Sequence, residues 1–265
     1  MKAPARLILA LLILQASVAI SAANDDPEIK RGHIHVARTP AQLVDAKSLE
    51  SLSEIQDMGQ EISWQMYVPD NYDPDVPAGL LVFVSPTTKG WLPNAWRPVL
   101  DEQNLIMISA DMSGNGTRTK KRLLHAALAP YVAAESYSID PQRIYVSGFS
   151  GGGKVASIAA VQFANLFSGA IYICGVVAWP EVSAGQLALA KSRRYVFITG
   201  SDDFNRKLTR RLYAKYEKSG MKNINLLTIH GMAHNIPGEE HFREAMNYLD
   251  ADDQATENLA VSDNP

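Results

Sequence analysis

From about residue 62 to residue 249, short apolar runs alternate with longer stretches of mixed polarity. That alternation predicts strands interleaved with helices. Strands are expected at Ser63–Val68, Gly79–Val84, Leu105–Ala110, Arg143–Ser147, Ala170–Cys174, Arg194–Thr199 and Asn223–His230. Helices or helix-like stretches are expected at Pro98–Glu102, Arg118–Glu135, Gly152–Phe163, Asn205–Ser219 and Glu239–Leu249. Runs such as Leu80-Leu-Val-Phe-Val84 contain no polar position, the pattern of a strand buried on both faces. An α/β fold follows, with a mostly parallel central sheet and helices on both of its faces. Residues 24–61 form a lead-in in which Ile34-His-Val36 suggests an edge strand and Glu50–Gln56 a turn of helix. Residues 250–265 are acidic and poor in apolar side chains, so a disordered tail is expected there. Neither an internal repeat nor a low-complexity linker interrupts the pattern, so residues 62–249 read as one domain with one large core.

The first 23 residues break this pattern. Lys2 and Arg6 precede the apolar run Leu7-Ile-Leu-Ala-Leu-Leu-Ile-Leu, and Ser21-Ala22-Ala23 offers small residues where a signal peptidase would cut. The run is broken by Gln15 and is short for a membrane span of about 20 residues. Residues 1–23 therefore read as a cleaved signal peptide, and the mature chain as exported, periplasmic or extracellular, with no stable membrane anchor. Loss of Lys2 and Arg6 moves the formal charge from −3 to −5. An acidic balance argues against nucleic acid as a partner. The basic tracts Arg118-Thr-Lys120-Lys121-Arg122 and Arg206-Lys207-Leu-Thr-Arg210-Arg211 are expected to be solvated helix faces. The single cysteine, Cys174, excludes an intramolecular disulfide, and its apolar surroundings suggest a buried thiol.

The most specific chemistry lies in Arg143-Ile-Tyr-Val-Ser-Gly148-Phe149-Ser150-Gly151-Gly152-Gly153-Lys154. A β-branched strand, a Gly-x-Ser-x-Gly turn and a helix of small residues follow one another, the pattern of a nucleophile elbow. Gly148 and Gly152 answer the need for close backbone approach on either side of the serine. The helix that follows aims its N-terminal N–H groups at negative charge forming on Ser150.

With the elbow placed, the chain from about Trp64 to Leu249 resembles an α/β-hydrolase. More narrowly it is similar to the secreted esterases that include polyhydroxybutyrate depolymerases, feruloyl esterases and acetylxylan esterases. Tyr67-Val-Pro69-Asp-Asn-Tyr72, Asp140-Pro-Gln-Arg143-Ile-Tyr-Val-Ser-Gly-Phe-Ser150 and Gly231-Met-Ala-His234-Asn-Ile-Pro237 carry that resemblance. The triad order in this fold is Ser, acid, His. Only His230, His234 and His241 follow Ser150, and His234 is the one set in a loop after the last strand. The acid is sought in Gly200-Ser201-Asp202-Asp203, where the resemblance implies Asp203 rather than Asp202. Two oxyanion donors are needed. Gly151 N–H is one. The other comes from Ser85-Pro86-Thr87-Thr88-Lys89-Gly90, which stands where such esterases carry His-Gly. Pro86 has no N–H, so Thr87 is expected, with Thr88 second.

These residues imply a serine esterase that works through an acyl-enzyme on a small-molecule or oligomeric ester, an acylated sugar or short hydroxyacid oligomer being preferred. No metal or organic cofactor is implied, because no His/Cys/carboxylate cluster has ligand spacing in the sequence. A serine peptidase, or a non-catalytic binding protein on a hydrolase scaffold, is the alternative. Trp91, Trp96 and Trp179 could shape specificity or could equally be packing anchors.

Overall fold

The strands are β1 Gly32–Arg38, β2 Ile62–Val68, β3 Ala78–Val84, β4 Leu105–Ala110, β5 Ile139–Phe149, β6 Gly169–Ile173, β7 Arg194–Gly200 and β8 Ile224–Ile229. In the computed structural model, which describes residues 29–45 and 52–251, they form one sheet in the order β1-β2-β4-β3-β5-β6-β7-β8. β1 and β2 pair antiparallel to their neighbours, and the six strands from β4 to β8 are parallel. Every residue of β3, β4, β6 and β7 is buried, as the unbroken apolar runs predict.

Strand side chains alternate between faces, and here the alternation sorts them into two cores. Leu80, Val82, Val84, Tyr172 and Phe197 enter one; Leu81, Phe83, Ile171, Ile173, Val196 and Ile198 enter the other. The first core is covered by α3 Thr119–Ala134, α4 Gly151–Gln162 and α6 Arg206–Lys218, the second by α2 Arg97–Glu102 and α7 Glu239–Asp250. Two further helices complete the order, α1 Pro40–Leu43 and α5 Ala184–Lys191. Ala156, Ala159 and Ala160 give α4 a thin buried stripe that lets it lie close on the sheet.

Several expectations shift in detail. β5 starts four residues early, because Ile139 pairs with Ala78 before the register shifts and Ile144 takes up pairing with Leu80. The expected edge strand at Ile34–Val36 is the centre of β1. α5 was not expected, although Ser183 and Gln186 form a capping box that marks its start. α7 runs through Asp250, whose carboxylate accepts from Arg143 (2.7 and 3.1 Å) and Tyr145 (2.5 Å) and so ties the end of the helix to β5. The expected signal peptide (1–23), most of the expected tail (252–265) and the start of the Glu50–Gln56 turn lie outside the described residues. Among the described residues no helix is long and apolar enough to cross a membrane.

Candidate active site

Ser150 sits between the end of β5 and the start of α4 with φ 55° and ψ −116°, a left-handed conformation that a side chain adopts only under constraint. The constraint comes from its neighbours. A Cβ on Gly152 would lie 1.8 Å from the Val84 carbonyl oxygen, and one on Gly148 would lie 2.4 Å from the Gly152 carbonyl carbon. Ser150 N–H donates to Ile173 O at 2.8 Å, which fixes the turn against β6.

His234 reaches this serine from the loop between β8 and α7. Its Nε2 lies 2.9 Å from Ser150 Oγ, and its Nδ1 lies 2.8 Å from Asp203 Oδ1. The ring is held between two aromatic faces, Phe149 at 4.9 Å and Phe204 at 4.1 Å between centroids. Phe204 is 75% exposed and forms a wall of the site. The other candidates do not meet the serine: His230 lies exposed just beyond β8, and His241 lies within α7.

Asp203 follows β7 in a tight turn, with its side chain wholly buried. Burial pushes its carboxyl up, but hydrogen bonds from Asn205 N–H, His234 and Thr199 outweigh burial and hold it below the ordinary carboxylate value. It is therefore ionised where the imidazole works. Asp202, the neighbouring alternative, points elsewhere and accepts from Ser201 Oγ.

The Ser85–Gly90 loop follows β3 and meets the turn that carries Asn115, whose N–H donates to Pro86 O at 2.9 Å. Asp111 fixes its far end by accepting from Gly90 N–H (2.8 Å), Ser63 and Gln65. Thr87 N–H donates to Ser85 Oγ at 3.1 Å, and Thr87 Oγ1 donates to Lys89 O. The Asn115 carboxamide lies against Gly151 and lines the cavity of about 480 Å³ that opens at Ser150. Asn115 was not singled out in the sequence. Nothing local marks it, because its loop meets the elbow only through the sheet.

Arg122 corrects one expectation. It is buried rather than solvated, and it donates to Ser113 O (2.7 Å), Ser85 O (3.0 Å) and Gly151 O (3.2 Å). One guanidinium thus ties together the loop after β3, the loop after β4 and the elbow. Desolvation lowers its pKa to about 10, which leaves it cationic at neutral pH.

A serine, a histidine and an aspartate brought into hydrogen-bonding contact by the loops after β5, β8 and β7 can be set beside known proteins. A model of the prolyl oligopeptidase family matches residues 124–261, more than half of the sequence. The chain belongs to the prolyl oligopeptidase family. No curated protein matches the sequence significantly. Similar solved structures include a mutant of the feruloyl esterase module from Clostridium thermocellum complexed with sinapinate, 16% identical over 85% of this chain and 92% of that one (TM-score 0.56). Another is S-formylglutathione hydrolase from Staphylococcus aureus, 10% identical over 82% and 98% of the two chains (TM-score 0.56). A third is dipeptidyl peptidase 4 from Porphyromonas gingivalis, 15% identical over 72% of this chain and 34% of that one (TM-score 0.55). At these identities the likeness establishes the fold, which is the α/β-hydrolase fold.

Within this family member the donor atoms of Cys174, Asp203 and His234 lie within 4.8 Å of one another. The trio fits a hydrogen-bonded cluster better than a cation cage. Burial and the neighbouring Asp203 push the Cys174 thiol up to about 12, so it keeps its proton and donates to Asn235 O (3.3 Å), whereas a metal ligand must be thiolate. Of the three tryptophans, Trp96 is a buried anchor: it stacks on Phe242 at 4.1 Å and donates to Pro237 O (3.0 Å), which steadies the far end of the His234 loop. Trp91 packs edge-on against Phe149, and Trp179 against Tyr216.

Proposed function

We propose that the chain is an exported serine hydrolase that cleaves carboxylic esters through an acyl-enzyme. Ser150 Oγ adds to the ester carbonyl as its proton passes to His234 Nε2, and the carbonyl oxygen becomes an oxyanion. Asp203 accepts from Nδ1, holding the required tautomer and stabilising the imidazolium. Collapse expels the alcohol, which takes the proton from His234 and leaves Ser150 acylated. Water then attacks with the same histidine as base, so the acid departs and the serine regains its proton. Gly151 N–H supplies one oxyanion donor. Thr87 N–H supplies the other by exchanging its bond to Ser85 Oγ for one to the substrate.

The observation that carries this reading is the bridge His234 makes, 2.9 Å to Ser150 Oγ and 2.8 Å to Asp203. The family name favours a second reading, a serine peptidase, which would use the same triad on an amide. Assays on p-nitrophenyl esters of graded acyl length, a feruloyl ester and acetyl-xylan, beside peptide p-nitroanilides, separate the two. Turnover of esters well above that of the anilides is expected; faster cleavage of the anilides would overturn the esterase reading. Export rests on Lys2, Arg6, the apolar run and Ser21-Ala22-Ala23. The exported protein should begin near Asn24, and Met1 retained on cytoplasmic protein would contradict it.

A further inference from the structure

Two cavities meet beside the nucleophile. The first, about 480 Å³, runs from Ser150 past Lys154 to Val177. The second, about 370 Å³, begins at the same Lys154 and Val177 and ends on α6. The α6 wall is the stripe Leu208, Arg211, Leu212 and Lys215, positions three or four apart that share one helix face. Lys154 is one helical turn beyond Ser150 on α4. No carboxylate is among the residues lining either cavity.

Exposed lysines and arginines are ordinary, and most have acidic neighbours. Among the described residues, Lys154 and Arg211 have no ion-pair partner, and the Lys215 ammonium sits over the Trp179 ring at 4.5 Å. Glu217, the acidic residue of α6, lies off the stripe. The Asp203 carboxylate lines neither cavity and is paired with His234 at 2.8 Å. Besides Arg122, whose donors are met by carbonyl oxygens, three positive charges without an ion-pair partner therefore line a path that starts at Ser150, in a protein whose overall charge is negative. Val177 and Leu208, 41% and 46% exposed, add apolar surface between them. Low-dielectric walls lined by one sign of charge concentrate ligands of the opposite sign.

We propose that this cleft is a subsite for an anionic group, so that the substrate is an ester carrying a carboxylate some way from the bond that is cleaved. The inference rests on the esterase reading and narrows its substrate class. Lys154 meets the carboxylate when the chain is short, Arg211 and Lys215 when it is longer, and Val177 and Leu208 cover the methylenes between.

The test compares kcat/KM for matched esters at low ionic strength. One arm places the carboxylate on the acyl side, p-nitrophenyl hemisuccinate and hemiglutarate against the butyrate and valerate. The other places it on the alcohol side, 4-acetoxybenzoate against phenyl acetate. At least one anionic member should exceed its neutral partner about tenfold. That ratio should shrink as salt shortens the screening length from about 30 Å at 0.01 M to about 10 Å at 0.1 M. Arg211→Gln combined with Lys215→Gln, or Lys154→Gln, should cut the ratio several-fold. Arg210→Gln, on an exposed position outside the stripe, should keep it. Neutral esters hydrolysed as well as or better than both anionic arms would overturn the subsite and leave the esterase reading standing. Failure to hydrolyse any ester would refute the esterase reading, and the subsite with it.

Discussion

A serine hydroxyl is a weak nucleophile at neutral pH, and in the proposed mechanism four residues make up the difference. On that proposal His234 would supply the base, Phe149 and Phe204 flank its ring, and Asp203, 2.8 Å from Nδ1, would fix which nitrogen carries the proton. The distinction between Asp202 and Asp203 is sharp in the structure: one carboxylate is exposed, the other has no accessible side-chain surface. Asp203→Asn should lower kcat about 10⁴-fold by favouring the wrong imidazole tautomer. Asp202→Asn should cost far less, and a reversal of the two effects would move the acid to Asp202. That Ser150, Asp203 and His234 would meet was legible in the sequence, because the elbow, the chain order implied by the resemblance and the few histidines after Ser150 left little choice. Phe204 and Asn115 were not, since an aromatic beside an aspartate and an asparagine in a glycine-rich turn are ordinary loop residues until the sheet brings them to the serine.

At the scale of elements, the hydrophobic pattern located seven strands and five helices, missing the eight-residue α5. Boundaries moved where pairing or capping overruled composition, as at Asp140-Pro-Gln, carried into β5 by the shifted register with β3. The larger surprise was α3. Its basic start looked solvated, yet helical periodicity turns Arg122 inward beneath three loops while Lys120 stays exposed. A buried cation without a carboxylate persists only if its donors are satisfied, and three carbonyl oxygens satisfy them. Arg122→Met should leave those carbonyls unpaired and cost on the order of 3 kcal/mol in stability. It should also lower kcat more than it raises KM, because the oxyanion loop and the elbow lose their common tie. A melting midpoint and steady-state constants both like wild type would show that the guanidinium only fills space.

For the whole molecule, the decisive fact is topological. Ser150, Asp203 and His234 are separated by 53 and 31 residues of chain and meet because β5, β7 and β8 run parallel and end on the same edge of the sheet. The two sides of the sheet are packed separately; the Asp203 loop rises from β7, buried along its whole length, whereas β8 beneath the His234 loop is only partly buried. The expected fold class anticipated this arrangement, whereas the cationic cleft could not be read along the chain: Lys154 and Arg211 belong to different helices and converge only across the ends of the strands. The central claim is that this convergence makes one serine reactive. It is tested most directly by treating the folded protein with a fluorophosphonate and locating the adduct by mass spectrometry. One phosphonyl group per chain is expected, on Ser150, with labelling slowed at least a hundredfold in His234→Ala. An unlabelled Ser150, or equal labelling with His234 removed, would contradict the account.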